Sequence, residues 1–181
     1  MKNKKYIFVA ILITFLLSAC GMGNTPTKKV EAFLNKYQTL DNVVLDQMDN
    51  MISTDTLMDS DQKNNYSDVL KRQYQDLTYQ IKDERIDGDK AVVTAEVEVY
   101  DFYKTNNSSA KYYAENEDKF LNNDGILDES KYVEYRIEQM KNTMERVKYT
   151  IDFTLTKVNN KWTLDEIDDA TRLKIHGLYE Y

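Results

Sequence analysis

Two hydrophobic periods divide the chain. Val30, Phe33, Leu34 and Tyr37 recur at i, i+3, i+4 and i+7, the stripe of an amphipathic helix. Thr25 reads as its N-cap and Pro26 as its first helical residue. Asp41 caps a second short helix with Val44, Met48, Met51 and Ile52 on one face. A third helix, from about Ser60, carries Tyr66, Leu70, Tyr74 and Leu77. The two methionines of the second helix are read as core filling rather than as soft metal ligands.

The period then drops to two. Leu77, Tyr79 and Ile81 alternate with polar residues, and Asp87-Gly88 marks a turn. Val93, Ala95, Val97 and Val99 alternate with Thr94, Glu96, Glu98 and Tyr100, so one face of that strand is buried and the other wet. The alternation falters at 100–103, where a bulge or a strand end carrying aromatics is expected. Residues 104–146 interrupt the sheet: a loop over 105–109, a helix over 110–121, a turn at 122–125, and a helix from a Ser130 cap to about Glu145. Tyr132, Tyr135, Met140 and Met144 are its packing positions. Val147, Tyr149, Ile151, Phe153 and Leu155 then face one way and Lys148, Thr150, Asp152, Thr154 and Thr156 the other. Asn159-Asn160 turns the chain into a strand with Trp162 and Leu164. Asp168 or Asp169 caps a final helix that Gly177 stops.

These elements predict an α+β fold: N-terminal helices on one face of a curved antiparallel sheet of about four strands, cone-like, with a helical insertion between the second and third strands. The order resembles the nuclear-transport-factor-2-like (cystatin-like) domains that recur in small bacterial lipoproteins. The resemblance rests on Thr25-Pro26-Thr27-Lys28-Lys29-Val30-Glu31-Ala32-Phe33-Leu34, on Ile86-Asp87-Gly88-Asp89-Lys90-Ala91-Val92-Val93, and on Leu155 to Leu164 with its Asn159-Asn160-Lys161-Trp162 turn. It implies a pocket between helices and sheet and, by itself, no activity.

The first residues change the picture from fold to location. Lys2, Lys4 and Lys5 precede an uncharged apolar run, and Leu17-Ser18-Ala19 leads into the single cysteine, Cys20. Basic start, apolar middle and small residues before a cut are the parts of a secretory signal peptide. Leu17-Ser18-Ala19-Cys20 resembles a lipobox, in which the cysteine is diacylated and becomes the new N-terminus. Tyr6 to Ala19 is 14 residues, short of the roughly 20 that a membrane-spanning helix needs. Two acyl chains suffice for stable anchoring where one does not. The organisation expected is therefore 1–19 signal peptide, 20–24 lipidated cysteine and tether, and 25–181 one α+β domain with the insertion at about 104–146. The protein would stand on the outer face of a bacterial cell membrane.

Charge excludes one partner class. The net charge is −7, and it becomes −10 once the three leader lysines are gone, with no basic block, which argues against nucleic acid. Catalytic and metal motifs are wanting. Asn122-Asn123-Asp124-Gly125 has the look of a calcium loop, but Phe120 and Lys131 would occupy its first and last ligand positions. A turn is the better reading. Asp165, Glu166, Asp168 and Asp169 are explained by a strand end and an N-cap. His176, the single histidine, is assigned to a helix C-terminus, where positive charge is welcome. No catalytic residue, cofactor or metal is assigned. The inward strand faces offer one polar group, Tyr149, which with Trp162 is named as a pocket liner. Tyr100, Phe102, Tyr103, Tyr112 and Tyr113 gather at the start of the insertion. They mark either an interaction surface, with Tyr100 and Tyr103 as its aromatics, or a small core of the insertion's own.

The functional expectation is a membrane-anchored, non-catalytic binding or interaction module, its partner an envelope protein or a small apolar ligand. The alternative is a small-molecule carrier or enzyme using the pocket between helices and sheet.

Overall fold

The structure, a computed structural model, describes residues 23–181. The leader, Cys20 and the first tether residues lie outside them. Three helices come first: α1 (Pro26–Gln38), α2 (Asn42–Ser53) and α3 (Ser60–Gln75). Each begins where a short polar side chain satisfies a free backbone N–H. Thr25 accepts from the Lys28 amide, Asp41 from Val43, and Asp59 closes a reciprocal capping box with Gln62.

A four-stranded antiparallel sheet follows in sequence order: β1 (Thr78–Asp87), β2 (Lys90–Tyr100), β3 (Arg146–Val158) and β4 (Lys161–Leu164). The predicted alternation fixes its register. Val93 pairs with Phe153, Ala95 with Ile151 and Val97 with Tyr149, and all six side chains are buried. The opposite face is polar, with Glu96, Lys148 and Lys82 in ionic contact. A register shift between Ile81 and Asp83 bends β1 along the sheet. Asn159 and Asn160 turn β3 into β4 with φ of 50° and 60°, the left-handed region that asparagine tolerates best after glycine.

The stretch between β2 and β3 differs from expectation. The sheet ends at Tyr100, and Asp101 accepts from the Lys104 amide to start α4 (Phe102–Glu115) at once. Residues 105–109, expected as a loop, are thus helical: a buried carboxylate cap outweighs the weak helix preference of Thr, Asn and Ser. A 3₁₀ turn (Glu117–Phe120) follows, and then α5 (Glu129–Asn142), capped by Asp128 rather than Ser130. Met140 is buried, but Met144 lies beyond the helix and is exposed. Helix α6 (Asp169–His176) closes the chain, capped by Asp168 and ended by Gly177 at φ 71°. A Cβ at Gly177 would strike the Tyr100 carbonyl and the Gln73 amide, so glycine is required there for space as well as for backbone angle.

α1 and α3 cover the apolar sheet face, where Val30, Leu34, Leu70 and Tyr74 meet Val93, Ala95, Ile151 and Phe153 in one core. Val133, Ile137 and Met140 of α5 belong to that same core. The inserted segment is therefore built into the domain.

Candidate functional site

The inward sheet face is packed solid: Val93, Ala95, Val97, Val99 and Leu155 show no exposed surface. Open space lies instead among the helices. A cavity of about 390 Å³ is bounded by Phe33 and Tyr37 of α1, Val44, Gln47, Met48 and Met51 of α2, Tyr74 of α3, and Ile167, Arg172 and His176 around α6. Among the described residues, none from a strand lines it. The α1 stripe produces this wall directly, because residues four apart share a face. Phe33 and Tyr37 meet edge to face at 5.5 Å, and Tyr37 meets Tyr74 at 5.2 Å.

A polar contact between two of the lining side chains lies in the cavity. The Tyr74 hydroxyl lies 2.8 Å from Nδ1 of His176. Tyr74 is fully buried, which raises its pKa above the ordinary tyrosine value. Burial also pushes the His176 imidazole down to about 4, with the nearby Arg172 adding to the effect. Both groups are thus neutral near pH 7. Arg172, at the rim, is engaged by Asp169 at 2.9 Å and Glu166 at 3.4 Å.

The expected pocket residues lie elsewhere. Tyr149 sits on the inward face of β3, but its hydroxyl donates to the Tyr179 carbonyl at 3.0 Å and its ring packs on Tyr179 and Tyr181. Trp162 is buried beside the start of α1, where its backbone amide donates to the Asn24 side chain. Neither lines the cavity, because the chain's last residues cover Tyr149 and the N-terminal segment reaches Trp162. Tyr100 is buried as well. Its hydroxyl donates to Asp76 at 2.8 Å, and the Arg72 and Arg146 guanidinium groups lie over its ring at 3.9 and 4.9 Å. Tyr103 is half-exposed, with its ring against Tyr181 at 5.8 Å. Tyr181 in turn donates to the buried Asp101 carboxylate, which helps raise the Tyr181 hydroxyl to about 12.

The insertion's aromatics pack on one another. Phe120 is buried and touches Tyr112, Tyr113, Tyr132 and Tyr135 at ring distances of 4.9 to 6.4 Å. Of the two readings left open for this cluster, a core of its own describes Tyr112 and Tyr113. The 122–125 segment is a turn in which Asn122 Oδ1 accepts from the Asp124 and Ile126 amides.

Sequence reasoning named His176 and missed its partner. The i, i+4 stripe of α3 placed Tyr74 in the core, but nothing local connects residue 74 to residue 176. Gln73 makes that connection. Fully buried, it accepts from the Tyr100 amide and donates to the Tyr100 and His176 carbonyls.

No family model matches the chain. Among solved structures, it is similar to a Bacillus subtilis crystal structure provisionally described as a lipoprotein (ycdA), with TM-score 0.49, 17% identity, and coverage of 78% of this chain and 47% of that one. The chain thus spans about half the length of that protein. Among the described residues no helix is long and apolar enough to cross a membrane.

Proposed function

We infer that the protein is a lipid-anchored, extracytoplasmic binding module without catalysis. One observation carries the non-catalytic half: Nδ1, the lone-pair nitrogen with which His176 could take up a proton, is engaged by the buried Tyr74 hydroxyl. His176 takes up its hydrogen bond with Tyr74, and an imidazole held near pKa 4 is a weak base at neutral pH. Among the described residues, no serine, cysteine or carboxylate lines this cavity as a nucleophile for it to activate. The anchoring half is supported by Leu17-Ser18-Ala19-Cys20 and the apolar run before it. The carrier form of the alternative reading is favoured by the cavity's volume, which is that of ordinary small-molecule sites.

Native mass spectrometry of the acylated chain drawn from its own membrane tests this reading. The expected spectrum shows the chain, its lipid and a stoichiometric companion that persists unchanged on incubation. A chain carrying its lipid alone overturns the reading, as does a companion that the protein converts to another species.

A further inference from the structure

The cavity among α1, α2, α3 and α6 has features that specify a ligand, and this argument rests on the binding-module reading. Its walls are Phe33, Tyr37, Val44, Met48 and Ile167, with Met51 43% exposed at the rim. Aromatic faces and thioethers are apolar, polarisable surfaces suited to a flat ring system. Val43 and Met51, both exposed, stand at i and i+8 on one side of α2, with the polar Gln47 between them at i+4.

The Tyr74–His176 contact supplies direction. Among the described residues, Tyr74 makes one hydroxyl hydrogen bond, to Nδ1 of His176, and Nε2 of that ring makes none. A buried tyrosine proton without an acceptor is costly, so Tyr74 donates and Nδ1 accepts. The neutral imidazole then carries its proton on Nε2. The lining then offers the His176 Nε2–H as a donor beside the exposed Gln47 amide and the Arg172 guanidinium at the rim. Charge contributes little: Arg172 is already held by two carboxylates, and the net charge, −10 without the three leader lysines, repels anions.

We propose that this cavity binds a neutral, flat, largely apolar small molecule that offers a single carbonyl or ether oxygen to Nε2 of His176.

The test uses the full acylated chain in lipid nanodiscs, with methionine methyl groups labelled with ¹³C. Met48 and Met51 report on the site, and Met140 and Met144 on regions outside it. The probes share one ring system: 2-acetylnaphthalene carries an acceptor, 2-ethylnaphthalene lacks it, and 2-naphthoate carries a charge. Expected is a saturable shift of the Met48 and Met51 methyl signals with 2-acetylnaphthalene while Met140 and Met144 hold still. Binding of 2-ethylnaphthalene should be about threefold to tenfold weaker, the worth of one hydrogen bond, and 2-naphthoate weaker again. Met51→Trp, a substitution at the exposed rim, should block the Met48 shift in a chain whose other methyl signals stay in place. Equal binding of the ethyl probe overturns the hydrogen-bond assignment, and naphthoate binding as tightly as the ketone overturns the neutral class. Unmoved Met48 and Met51 signals for every probe overturn the site. If the native mass spectrum then still shows a companion, the binding reading stands without this cavity; a bare chain removes both.

Discussion

His176 shows how far one side chain's surroundings can reverse its expected character. At an exposed helix end a histidine would gain from the helix dipole and become easier to protonate. Here burial against Tyr74 wins and lowers its pKa to about 4. An unfolded chain binds that proton near pH 6.5, so between about pH 6.5 and 4 the unfolded state holds more protons than the folded one. The stability that His176 contributes is therefore complete above pH 6.5 and is lost as pH falls toward 4. With some solvent access to the ring, the loss should be about 2 kcal/mol. Denaturant unfolding of the parent and of His176→Gln across that range checks it: the parent should weaken on acidification, and the variant's curve should be flatter. Gln73 acts at the same scale. Its amide joins strand, helix and the α6 terminus without any charge, and Gln73→Leu would strand three backbone groups, at a cost of about 3 kcal/mol. A drop of that size in the denaturant midpoint, with the slope unchanged, is the expected result.

The elements most legible in the sequence are those with an uninterrupted period. The β2 and β3 alternation, the α1 stripe and the Asn159-Asn160 turn are all present as read, because each depends on local sterics and one buried face. The four-strand sheet with helices against it follows from them. The start of α4 was illegible for a physical reason: Asp101 begins a helix only because it is buried where β2 ends, and burial is not a local property. The site was hidden in the same way. Tyr74 and His176 meet only through the packing of α3 against α6, and the cavity lies between helices rather than at the sheet. The insertion's aromatics were visible as a group, but their mutual packing was not. Phe120→Ala should remove the centre of that packing, at a cost of about 3 kcal/mol. Hydrogen exchange should show faster exchange in the 3₁₀ turn and the end of α4, with β2 and β3 amides still protected. Uniform loss of protection would mean the cluster and the sheet unfold as one unit.

At the scale of the whole molecule, the sheet has two unlike ends. The β1–β2 and β3–β4 turns lie at one end, and Asn24 is fastened there, donating to the Asn160 carbonyl at 2.8 Å and accepting from the Trp162 amide at 3.0 Å. Thr27 is tied nearby to Glu84. The inserted helices leave from the other end, after Tyr100 and before Arg146. The 11 residues of β2 span about 35 Å between them. With Cys20 acylated, a fluorophore on Lys161→Cys should be quenched strongly by spin-labelled lipid headgroups in nanodiscs, and one on Leu127→Cys hardly at all. Equal quenching would mean the domain lies flat. The Asn24 clasp has a consequence for encounters. A chain free to pivot at residue 24 would sweep its far end through a hemisphere. Were the domain held upright on an acylated Cys20, the arrangement that strong quenching at 161 with little at 127 would report, that end would be confined to a thin layer parallel to the bilayer. Anything meeting the insertion would then be selected by its height above the membrane before any side chain touched it.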